Sequence, residues 1–533
     1  MDSKADMVIP ERLNLATYFL DENIACGRGE RVALYYQDQS YTYNQLCELT
    51  NKVGNTLKMV GVERENRVLL VLNDCPEWAA TWLGTMKIGA VSTCVYTYLH
   101  TSDYEYFIDY IKPAAIVVDE TTVEKVREAL ANLHHPSYMK GLLLLTENPL
   151  ETANREFEFK RMIGEASGEL ECEPTSRDEI AFWNFSGGTT DKPKGVPHMH
   201  RDGLIGCESW LKMTNYNEND VVVNVPKLFF HYAHDLGLNF VLRVGGSIVL
   251  YKEKVTPNLI FELISKYRPS VLVNVPTMML GMLQVPDRER HDISCLRATL
   301  SSGEALSGQL YNDWMKGFGV EVVEVLGSAE SYMGYLANRP GEKVPGSVGR
   351  LTPFVEAKIV DGDGNPVPKG EHGTLWIKAD SVGTYYYLDH EKSKKTFIGG
   401  DWLNTGDLFR EDEEGNFWYI GRAEENIKVS GVWVPILEVQ QLLQTHSDIK
   451  ECVMIGVPDS YGLMTTKAYV VLKQGVDPSD KLSEELKIFC KERLAVHKFP
   501  RIVEFLNELP KTGQGKVDKR KLKEMELAKM QAG

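Results

Sequence analysis

Short apolar runs alternate with longer amphipathic stretches over most of the first 330 residues. The apolar runs are rich in β-branched residues and end at turn or loop residues; they are RVLLVLN (67–73), AAIVVD (114–119), DVVVNVP (220–226), SVLVNVP (270–276) and VEVVEVL (320–326). Between them lie helix-like stretches such as PEWAATWLGTMKIGA (76–90) and NLIFELISKY (258–267). This alternation predicts an α/β fold, with parallel or mixed sheets covered by helices.

The pattern changes after about Gly341, where hairpin-like strands such as GEHGTLWIKA and EEGNFWYIGR replace the alternation. They predict a compact, β-barrel-like antiparallel module at about 341–423, which completes a large N-terminal domain over 1–423. Beyond it, strand-like DIKECVMIGVPD, KAYVVLK and RIVEFL surround one helical stretch, EELKIFCKERL. Residues 424–533 are therefore predicted to form a small α+β domain.

Composition and charge exclude several classes of protein. The chain has 533 residues, a hydrophobic fraction of 43% and a charged fraction of 25%, as in globular proteins of more than one domain. A net charge of −16 argues against nucleic acid as a partner. No apolar run approaches the ~20 residues of a membrane helix, and the first residues do not resemble a secretion signal. The nine cysteines include no C-x-x-C pair, so we expect a cytoplasmic protein with reduced thiols.

The stretch FSGGTTDKPKG, which we call the phosphate loop (185–195), follows a predicted strand. Glycines allow backbone N–H groups to approach an anion, and hydroxyl and lysine side chains add donors. The spacing is not that of a P-loop. On the residues alone, the loop favours phosphate binding over an ordinary surface turn, although Asp191 carries the same sign of charge as the ligand.

Three further segments contain residues suited to a nucleotide site. LPKTGQGKVDKR (509–520) places Lys516 among glycines, where it is either a solvated surface charge or a group that reaches phosphate oxygens. Asp407 and Arg422 each follow a glycine and can bond to ribose hydroxyls. Glu330 lies just beyond a predicted strand end, where a carboxylate can bind a metal ion.

In this order, the segments resemble the motifs of the adenylate-forming superfamily of acyl-CoA and aryl-CoA ligases, adenylation domains and luciferases. The resemblance runs from YTYNQL (41–46) to GKVDKR (515–520). PKLFFHYAHDLGL (226–238), SSGEAL (301–306) and IKVSGVWVPILEVQ (427–440) look most like benzoate-CoA ligases. The resemblance implies that a carboxylate attacks Mg-ATP to give an acyl-adenylate and pyrophosphate, after which coenzyme A displaces AMP.

The resemblance also implies roles for particular residues. The residues expected to hold the β- and γ-phosphates are Ser186, Gly188, Thr189, Thr190, Lys192 and Lys194. Gly303 and Glu304 would lie along the adenine, Gly327 and Ser328 beside the base and the acyl carboxylate, and Glu330 would bind Mg²⁺. Asp407 and Arg422 would bind the ribose. Glu304 and Gly327 also fit simple turn and packing positions.

Members of this superfamily rotate the small C-terminal domain between the two half-reactions. The pivot would be Glu424, and Lys516 would act in adenylation by bridging the carboxylate and the α-phosphate. Rotation would remove Lys516 and bring in the coenzyme A contacts, which are Lys428, Ser430 and Gly431. Lys428 fits an ordinary surface lysine equally well.

The acyl group is expected to be a ring carboxylic acid. Its predicted pocket contains His231, Tyr232, Ala233, His234, Tyr332 and Met333. Aromatic walls with small residues suit a compact ring. Benzoate and its relatives are the expected substrates. An alicyclic acid is the alternative, because HYAHD differs from the corresponding motif of benzoate-CoA ligases. The pairs His198 with His200 and His231 with His234 lack a third metal ligand in sequence.

Five positions depart from the family pattern. Gly187 replaces a hydroxyl residue, Asp191 a glycine and Ala329 a threonine, and each change weakens the grip on phosphate. Glu424 and Glu425 replace a hinge Asp pair. One explanation is an enzyme that also runs in reverse, making ATP from acyl-CoA, AMP and pyrophosphate; the other is drift compensated by Lys192 and Lys194.

Two other classes of function stay open on the sequence. One is an adenylating enzyme that passes its acyl group to a carrier protein in trans, and the other is a degenerate nucleotide-binding relative. The expected partners are a small carboxylate, ATP or AMP, and coenzyme A, with neither nucleic acid nor membrane. A homodimer is left open.

Overall fold

The computed structural model describes residues 7–186, 192–423, 427–429, 432–434, 436–458, 464–494, 498–511 and 517–532. These residues cluster in two compact units. The first is drawn from Met1–Ser186, Lys194–Glu356 and Ile377–Leu403, and the second from Gly187–Pro193, Ala357–Trp376 and Asn404–Gly533. The domain boundary expected at 423 and 424 falls within the second unit and stays a prediction.

The strands, numbered along the chain, are β1 Val32–Tyr36, β2 Gln39–Thr42, β3 Arg67–Val71, β4 Val91–Cys94, β5 Ala115–Asp119, β6 Gly141–Leu145, β7 Glu156–Glu158, β8 Ile180–Ser186, β9 Lys194–Met199, β10 Val221–Asn224, β11 Ser247–Leu250, β12 Val271–Asn274, β13 Ala298–Ser301, β14 Val322–Gly327, β15 Gly334–Ala337, β16 Arg350–Leu351, β17 Glu356–Val360, β18 His372–Lys378, β19 Phe397–Ile398, β20 Trp402–Glu411, β21 Phe417–Arg422, β22 Ile427–Val429, β23 Val432–Val434, β24 Ile449–Pro458, β25 Met464–Leu472 and β26 Ile502–Phe505.

The α-helices are α1 Glu22–Ala25, α2 Tyr43–Met59, α3 Pro76–Lys87, α4 Thr101–Ile111, α5 Val123–Asn132, α6 Phe159–Glu165, α7 His200–Met213, α8 His231–His234, α9 Phe240–Val244, α10 Pro257–Tyr267, α11 Pro276–Leu283, α12 Gly308–Phe318, α13 His390–Thr396, α14 Ile436–Gln444, α15 Asp480–Arg493 and α16 Lys519–Ala532. Two π-helical segments, Thr17–Asp21 and Asp235–Asn239, and one 3₁₀ turn, Arg288–Arg290, complete the helical structure of the described residues.

Two large sheets form the framework of the first unit. The seven-stranded sheet has the order β7–β6–β5–β3–β4–β8–β9 and is parallel except for the β8–β9 pair. The nine-stranded sheet has the order β16–β15–β14–β13–β12–β10–β11–β1–β2, with a parallel centre running from β14 to β1. This confirms the α/β fold class expected from the sequence.

The strands and helices predicted from hydrophobic pattern are present close to their expected bounds. The run at 114–119 is β5, that at 270–276 contains β12, and the helix-like stretch at 258–267 is α10. Helix α10 begins with Pro257 after Thr256, whose side chain accepts a hydrogen bond from the backbone of Leu259. A proline at the first helical position and a capped N-terminus both favour a helix start there.

The largest core of the first unit packs α2 and α3 with apolar side chains from both large sheets. Trp78 and Trp82 of α3 are fully buried and stack on each other with ring centroids 5.5 Å apart. Phe182 of β8 adds its ring 5.7 Å from that of Trp82. These large apolar side chains fix the position of β8, which leads into the phosphate loop.

The antiparallel module expected after residue 341 contains a five-stranded sheet, in which β17, β18, β20 and β19 are neighbours and β21 also pairs with β20. Further along, β24 and β25 are antiparallel, β26 lies parallel to β25, and α14 and α15 share a core with them. The predicted α+β character of the C-terminal segment is thus confirmed. Among the described helices, none is long and apolar enough to cross a membrane.

Candidate active site

The ends of four neighbouring parallel strands bring the predicted acyl, adenine and metal residues to one edge of the nine-stranded sheet. β10, β12, β13 and β14 are adjacent and parallel, so their carboxyl ends meet at that edge. The segment 231–234 follows β10, Gly303 and Glu304 follow β13, and Glu330 follows β14. Ligands of open α/β sheets bind at such an edge.

Glu330 is held by two hydrogen bonds. Its Oε1 accepts from the hydroxyl of Tyr386 at 2.6 Å, and its backbone carbonyl accepts from the N–H of Gly383 at 2.8 Å. The described residues contain no group of three His, Cys, Asp or Glu side chains placed to hold a metal ion. A single carboxylate fits Mg²⁺, which commonly takes one or two carboxylates and completes its shell with phosphate oxygens and water.

The residues predicted to contact adenine occupy two turns. Gly303 has φ +80°, and a methyl group added there would meet nothing within 4 Å, so the space above it is open. Glu304 accepts hydrogen bonds from the hydroxyl of Thr277 at 2.5 Å and from its N–H at 3.1 Å. A Cβ on Gly327 would lie 2.8 Å from the carbonyl oxygen of Met333, so the turn after β14 requires glycine. The alternative packing role of Gly327 therefore has direct support.

His198 supports the turn that carries Glu330. Its Nε2 lies 2.7 Å from the carbonyl oxygen of Ala329 and its Nδ1 lies 3.0 Å from Oδ2 of Asp202. Because a carbonyl only accepts, Nε2 donates to Ala329, while Nδ1 faces the carboxylate of Asp202. The methyl group of Ala329 packs with Val196 and Tyr386 in a small apolar cluster. Sequence reasoning gave His198 no role, since a buried structural histidine has no motif.

His200 is also structural. It is buried, its Nδ1 accepts from the backbone N–H of Leu15 at 3.1 Å, and burial lowers its pKa to about 3. Because Nδ1 accepts a hydrogen bond, the hydrogen of the neutral ring is on Nε2. The expectation that the HMH pair is not a metal site stays a prediction.

Four of the predicted acyl residues, 231–234, form the short helix α8. Tyr232 donates its hydroxyl hydrogen to the carbonyl of Asn274, and Ala233 and His234 are fully buried. His231 is partly exposed. The ring of His234 lies 4.5 Å from that of Trp82, and burial lowers the pKa of His234 to about 3.

Tyr332 and Met333 pack against the same region from the turn after β14. Tyr332 has φ +60°, and its hydroxyl donates to Oδ1 of Asp235 at 2.8 Å. Its ring lies close above Gly206, where an added Cβ would be 2.6 Å from the ring. Met333 packs with Ile205 and Ala379. Asp235, which the sequence did not single out, is buried, and burial raises its pKa well above the usual value.

The phosphate loop connects two antiparallel strands. Ser186 at the end of β8 stands opposite Lys194 at the start of β9, and Lys192 is exposed. Of the predicted phosphate ligands, Gly188, Thr189 and Thr190 lie outside the described residues, as do Gly187 and Asp191.

The base of this loop is held by aromatic side chains. A Cβ on Gly195 would lie 2.9 Å from the ring of Trp183, so the strand passes directly over the indole. The N–H of Gly195 donates to the hydroxyl of Tyr110 at 3.2 Å, and its carbonyl accepts from the N–H of Tyr387 at 2.9 Å. These contacts fix the backbone at the start of β9, where Lys194 lies.

In the second unit, Asp407 and Arg422 stand directly opposite each other on β20 and β21. Nε of Arg422 lies 3.2 Å from Oδ1 of Asp407, and the hydroxyl of Tyr419 lies 3.4 Å from the same oxygen. Asp407 is buried, whereas Arg422 is exposed. The sequence predicted that these two residues bind the same ligand, and in the structure their side chains lie next to each other.

The remaining predicted residues fall in or beside three stretches that the structure does not describe. Lys428 lies in β22, which pairs with β23 so that Lys428 is opposite Trp433. Ser430, Gly431, Glu424 and Lys516 lie outside the described residues. The described residues Lys511 and Val517 form an antiparallel bridge.

Comparison with known proteins defines the class of this chain. Residues 21–387 match the model of the AMP-binding enzyme family, and residues 438–516 match that of the AMP-binding enzyme C-terminal domain. The chain belongs to the AMP-binding enzyme family, in which it is an acyl-CoA synthetase of the benzoate-CoA ligase-like kind.

Three relatives cover nearly the whole chain. A benzoate–CoA ligase of Thauera aromatica is 34% identical over 520 residues, which are 97% of this chain and 96% of the relative. A 4-hydroxybenzoate–CoA/benzoate–CoA ligase of Rhodopseudomonas palustris is 31% identical over 522 residues, covering 97% and 95%. The crystal structure of the anthranilate CoA ligase AuaEII in complex with anthranoyl-AMP superposes with a TM-score of 0.91 at 32% identity, covering 98% of both chains.

Proposed function

We propose that this protein joins a ring carboxylic acid to coenzyme A through an acyl-adenylate, using Mg-ATP. The observation that carries the proposal is the edge of the nine-stranded sheet, where Glu330 and the acyl residues after β10 follow adjacent strands. Relatives with this fold over their whole length act on benzoate, on 4-hydroxybenzoate and on anthranilate.

In the first half-reaction, a carboxylate oxygen attacks the α-phosphorus of ATP and pyrophosphate leaves. Two anions have to meet, so the protein's main contribution is neutralisation of charge and positioning. Lys192 and Lys194 would neutralise the β- and γ-phosphates, and Glu330 would hold Mg²⁺ against them. Magnesium, when bound, withdraws charge from phosphate oxygens.

The nucleotide would be held by two further sets of residues. Gly303, Glu304, Gly327 and Ser328 would border the base and the acyl carboxylate, while Asp407 would accept hydrogen bonds from the ribose hydroxyls. Arg422 would hold the carboxylate of Asp407 in place and donate to the same hydroxyls. The 3.2 Å ion pair between the two side chains supports this arrangement.

In the second half-reaction, the thiolate of coenzyme A attacks the acyl carbonyl and AMP leaves. Lys516 would serve adenylation only, and Lys428, Ser430 and Gly431 would contact coenzyme A after a rotation about Glu424. The family match over 438–516, which ends at Lys516, supports the assignment of that lysine to the C-terminal domain.

The direction of the reaction is a second part of the proposal. Gly187, Asp191 and Ala329 remove donors or add a negative charge near the phosphates, and the buried methyl of Ala329 offers none. We expect that pyrophosphate is held weakly enough for the enzyme to make ATP from acyl-CoA, AMP and pyrophosphate. Asp191→Gly should then lower the KM for pyrophosphate in the reverse reaction, and an unchanged KM would remove this part of the proposal.

A panel of ring acids assayed for coenzyme A-dependent AMP formation tests the function itself. We expect acyl-CoA and AMP in equal amounts with at least one benzoate-like or alicyclic acid. The same assay with Lys516→Ala should show loss of most adenylation but retention of thioester formation from supplied acyl-adenylate. Acyl transfer to a carrier protein but not to coenzyme A, or no turnover of any acid, would contradict the proposal.

A further inference from the structure

A buried polar cluster lies where α8 passes into the π-helical segment Asp235–Asn239. Its members are His234, Asp235 and Asn239, whose exposed fractions are 0%, 3% and 2%. Each has one side-chain atom without a hydrogen-bond partner: Nε2 of His234, Oδ2 of Asp235 and Oδ1 of Asn239. Unpaired polar atoms are uncommon in protein interiors, so three in one turn point to an occupant.

The three unpaired atoms belong to side chains that contact one another. Oδ1 of Asp235 accepts from Nδ2 of Asn239 at 3.2 Å and lies 3.7 Å from Nε2 of His234. The same oxygen accepts from the hydroxyl of Tyr332, which belongs to the predicted acyl pocket. The wider π-helical turn, a form frequently found at functional sites, places these side chains together. The cluster therefore adjoins the place where the ring of the acid is expected.

The hydrogen bonds that these three side chains already make determine whether each unpaired atom is a donor or an acceptor. Nδ1 of His234 lies 2.9 Å from the carbonyl oxygen of Leu228, so Nδ1 carries the hydrogen and Nε2 is an acceptor. The amide nitrogen of Asn239 faces the carboxylate of Asp235, so its Oδ1 is also an acceptor. Oδ2 of Asp235 accepts when ionised and donates when protonated. The occupant must therefore donate hydrogen bonds, and with a protonated Asp235 it must accept one as well.

Nearby indoles add donors to the same region. The rings of Trp82 and Trp78 lie 4.5 and 6.0 Å from that of His234, and their buried indole N–H groups have no partner. A hydroxyl or an amino group can both donate to the acceptors and accept from such a donor. A methyl group, a halogen or an unsubstituted ring edge cannot donate.

We propose that His234, Asp235 and Asn239 bind a hydroxyl or amino substituent on the ring of the acyl substrate. The inference rests on the proposed ligase function and narrows its substrate to hydrogen-bond-donating ring acids. Similarity to an anthranilate ligase and a 4-hydroxybenzoate/benzoate ligase is consistent with such an acid. Discrimination is expected to be strong, because an acid without the substituent leaves the buried acceptors unpaired.

The first test measures kcat/KM of the intact protein for benzoate and for its hydroxy, amino and methyl derivatives at each ring position. We expect a hydroxy or amino acid to exceed the methyl acid of the same position, and benzoate, by about tenfold or more. If benzoate, a methylbenzoate or cyclohexanecarboxylate equals the best of them, the inference is wrong and buried water occupies the cluster. If no acid forms AMP, the proposed function itself fails.

Two substitutions give a second test, Asp235→Asn and His234→Phe. Each should lower the ratio of kcat/KM between the preferred acid and its methyl analogue by about fivefold or more. Asp220→Asn is the matched control, since Asp220 is a buried aspartate of the same unit whose carboxylate bonds to Arg297. It should leave the ratio unaltered whatever it does to stability. An equal ratio in all four proteins would overturn the inference, as would an equal change in the control.

Discussion

Glu330 owes its position to the turn that ends β14. Gly327 is required there by the approach of the Met333 carbonyl, and the hydroxyl of Tyr386 orients the carboxylate. His198 holds the neighbouring carbonyl of Ala329. A carboxylate fixed in this way can bind Mg²⁺ without moving, which is the arrangement expected of a preorganised metal ligand.

Glu330→Gln tests this assignment. The amide keeps the shape but loses the charge, so adenylation should fall by about 100-fold, and the Mg²⁺ concentration for half-maximal rate should rise by about tenfold. Carboxylate-dependent pyrophosphate release over a Mg²⁺ titration measures both quantities. Glu262→Gln, at an exposed site of the same unit, should behave as wild type. An unchanged Mg²⁺ dependence in Glu330→Gln would show that the metal is held elsewhere.

Single residues mark the limit of what could be predicted from the sequence. Motif order placed Asp407 with Arg422, and the structure has them 3.2 Å apart. The roles of His198 and Asp235 could not be foreseen, because each depends on a partner that is distant in sequence, Ala329 and Tyr332 respectively. Only the tertiary fold brings these partners, which lie in the turn after β14, together with His198 and Asp235.

The β8–β9 pair is the element on which phosphate binding depends. Gly195 lies directly over Trp183 and is bonded to Tyr110. The sequence predicted β8 from its apolar run, but β9 follows a glycine- and lysine-rich stretch and pairs antiparallel to β8 within an otherwise parallel sheet. Such a local reversal is decided by tertiary pairing and not by hydrophobic period.

Gly195→Ala should disturb this element. A Cβ would lie 2.9 Å from the indole of Trp183, so β9 or the ring has to shift, at a cost of about 1–3 kcal/mol. We expect lower stability and a higher KM for ATP, measured by denaturant unfolding and by initial rates. Gly164→Ala is the control, since its Cβ would meet nothing within 4 Å and it lies in helix α6. Equal effects of the two substitutions would contradict the packing described for β9.

Helix α16 is anchored by a cluster of ion pairs. The buried ammonium of Lys467 lies 2.7 Å from Glu504 and 2.8 Å from Glu526, and Lys529 bonds to both carboxylates. Burial by itself would raise the pKa of Glu526, but hydrogen bonds from Lys467, Tyr469 and Lys529 outweigh it and lower that pKa to about 2. The only helical stretch predicted in this domain was EELKIFCKERL, so α16 and its anchor were not foreseen from the sequence.

A lowered pKa makes the anchor dependent on pH. The folded pKa of Glu526 lies below its ordinary value of 4.5, so its contribution to stability is complete above about pH 5 and is lost as pH falls towards 2. Glu526→Gln should destabilise the protein by about 1–3 kcal/mol at pH 7, and the difference from wild type should shrink between pH 5 and 3.

Denaturant unfolding across that pH range measures the difference between wild type and Glu526→Gln. Glu524→Gln is a control on the same helix, because the ion pair of Glu524 with Arg520 is exposed and should contribute little. A difference for Glu526→Gln that stays constant from pH 7 to pH 3 would show that the carboxylate is not stabilised by these cations.

The fold class of the whole molecule could be predicted from the sequence more fully than the pairing of single elements or the contacts of single residues. The alternation of apolar runs and helices predicted the α/β class. The change to hairpin-like strands after residue 341 predicted the antiparallel module that contains the five-stranded sheet. The order of strands within each sheet could not be read from period, because crossovers such as β10 between β11 and β12 depend on long-range pairing. The two-step reaction and the rotation about Glu424 stay proposals.

Transfer of a labelled oxygen tests the central claim most directly. The protein would be incubated with an accepted ring acid carrying ¹⁸O in its carboxylate, together with Mg-ATP and coenzyme A. Attack by that carboxylate on the α-phosphorus, followed by thiolysis, leaves one carboxylate oxygen in AMP. Mass spectrometry should therefore find one ¹⁸O in AMP and none in pyrophosphate. Unlabelled AMP, or ADP and phosphate as products, would contradict an acyl-adenylate route.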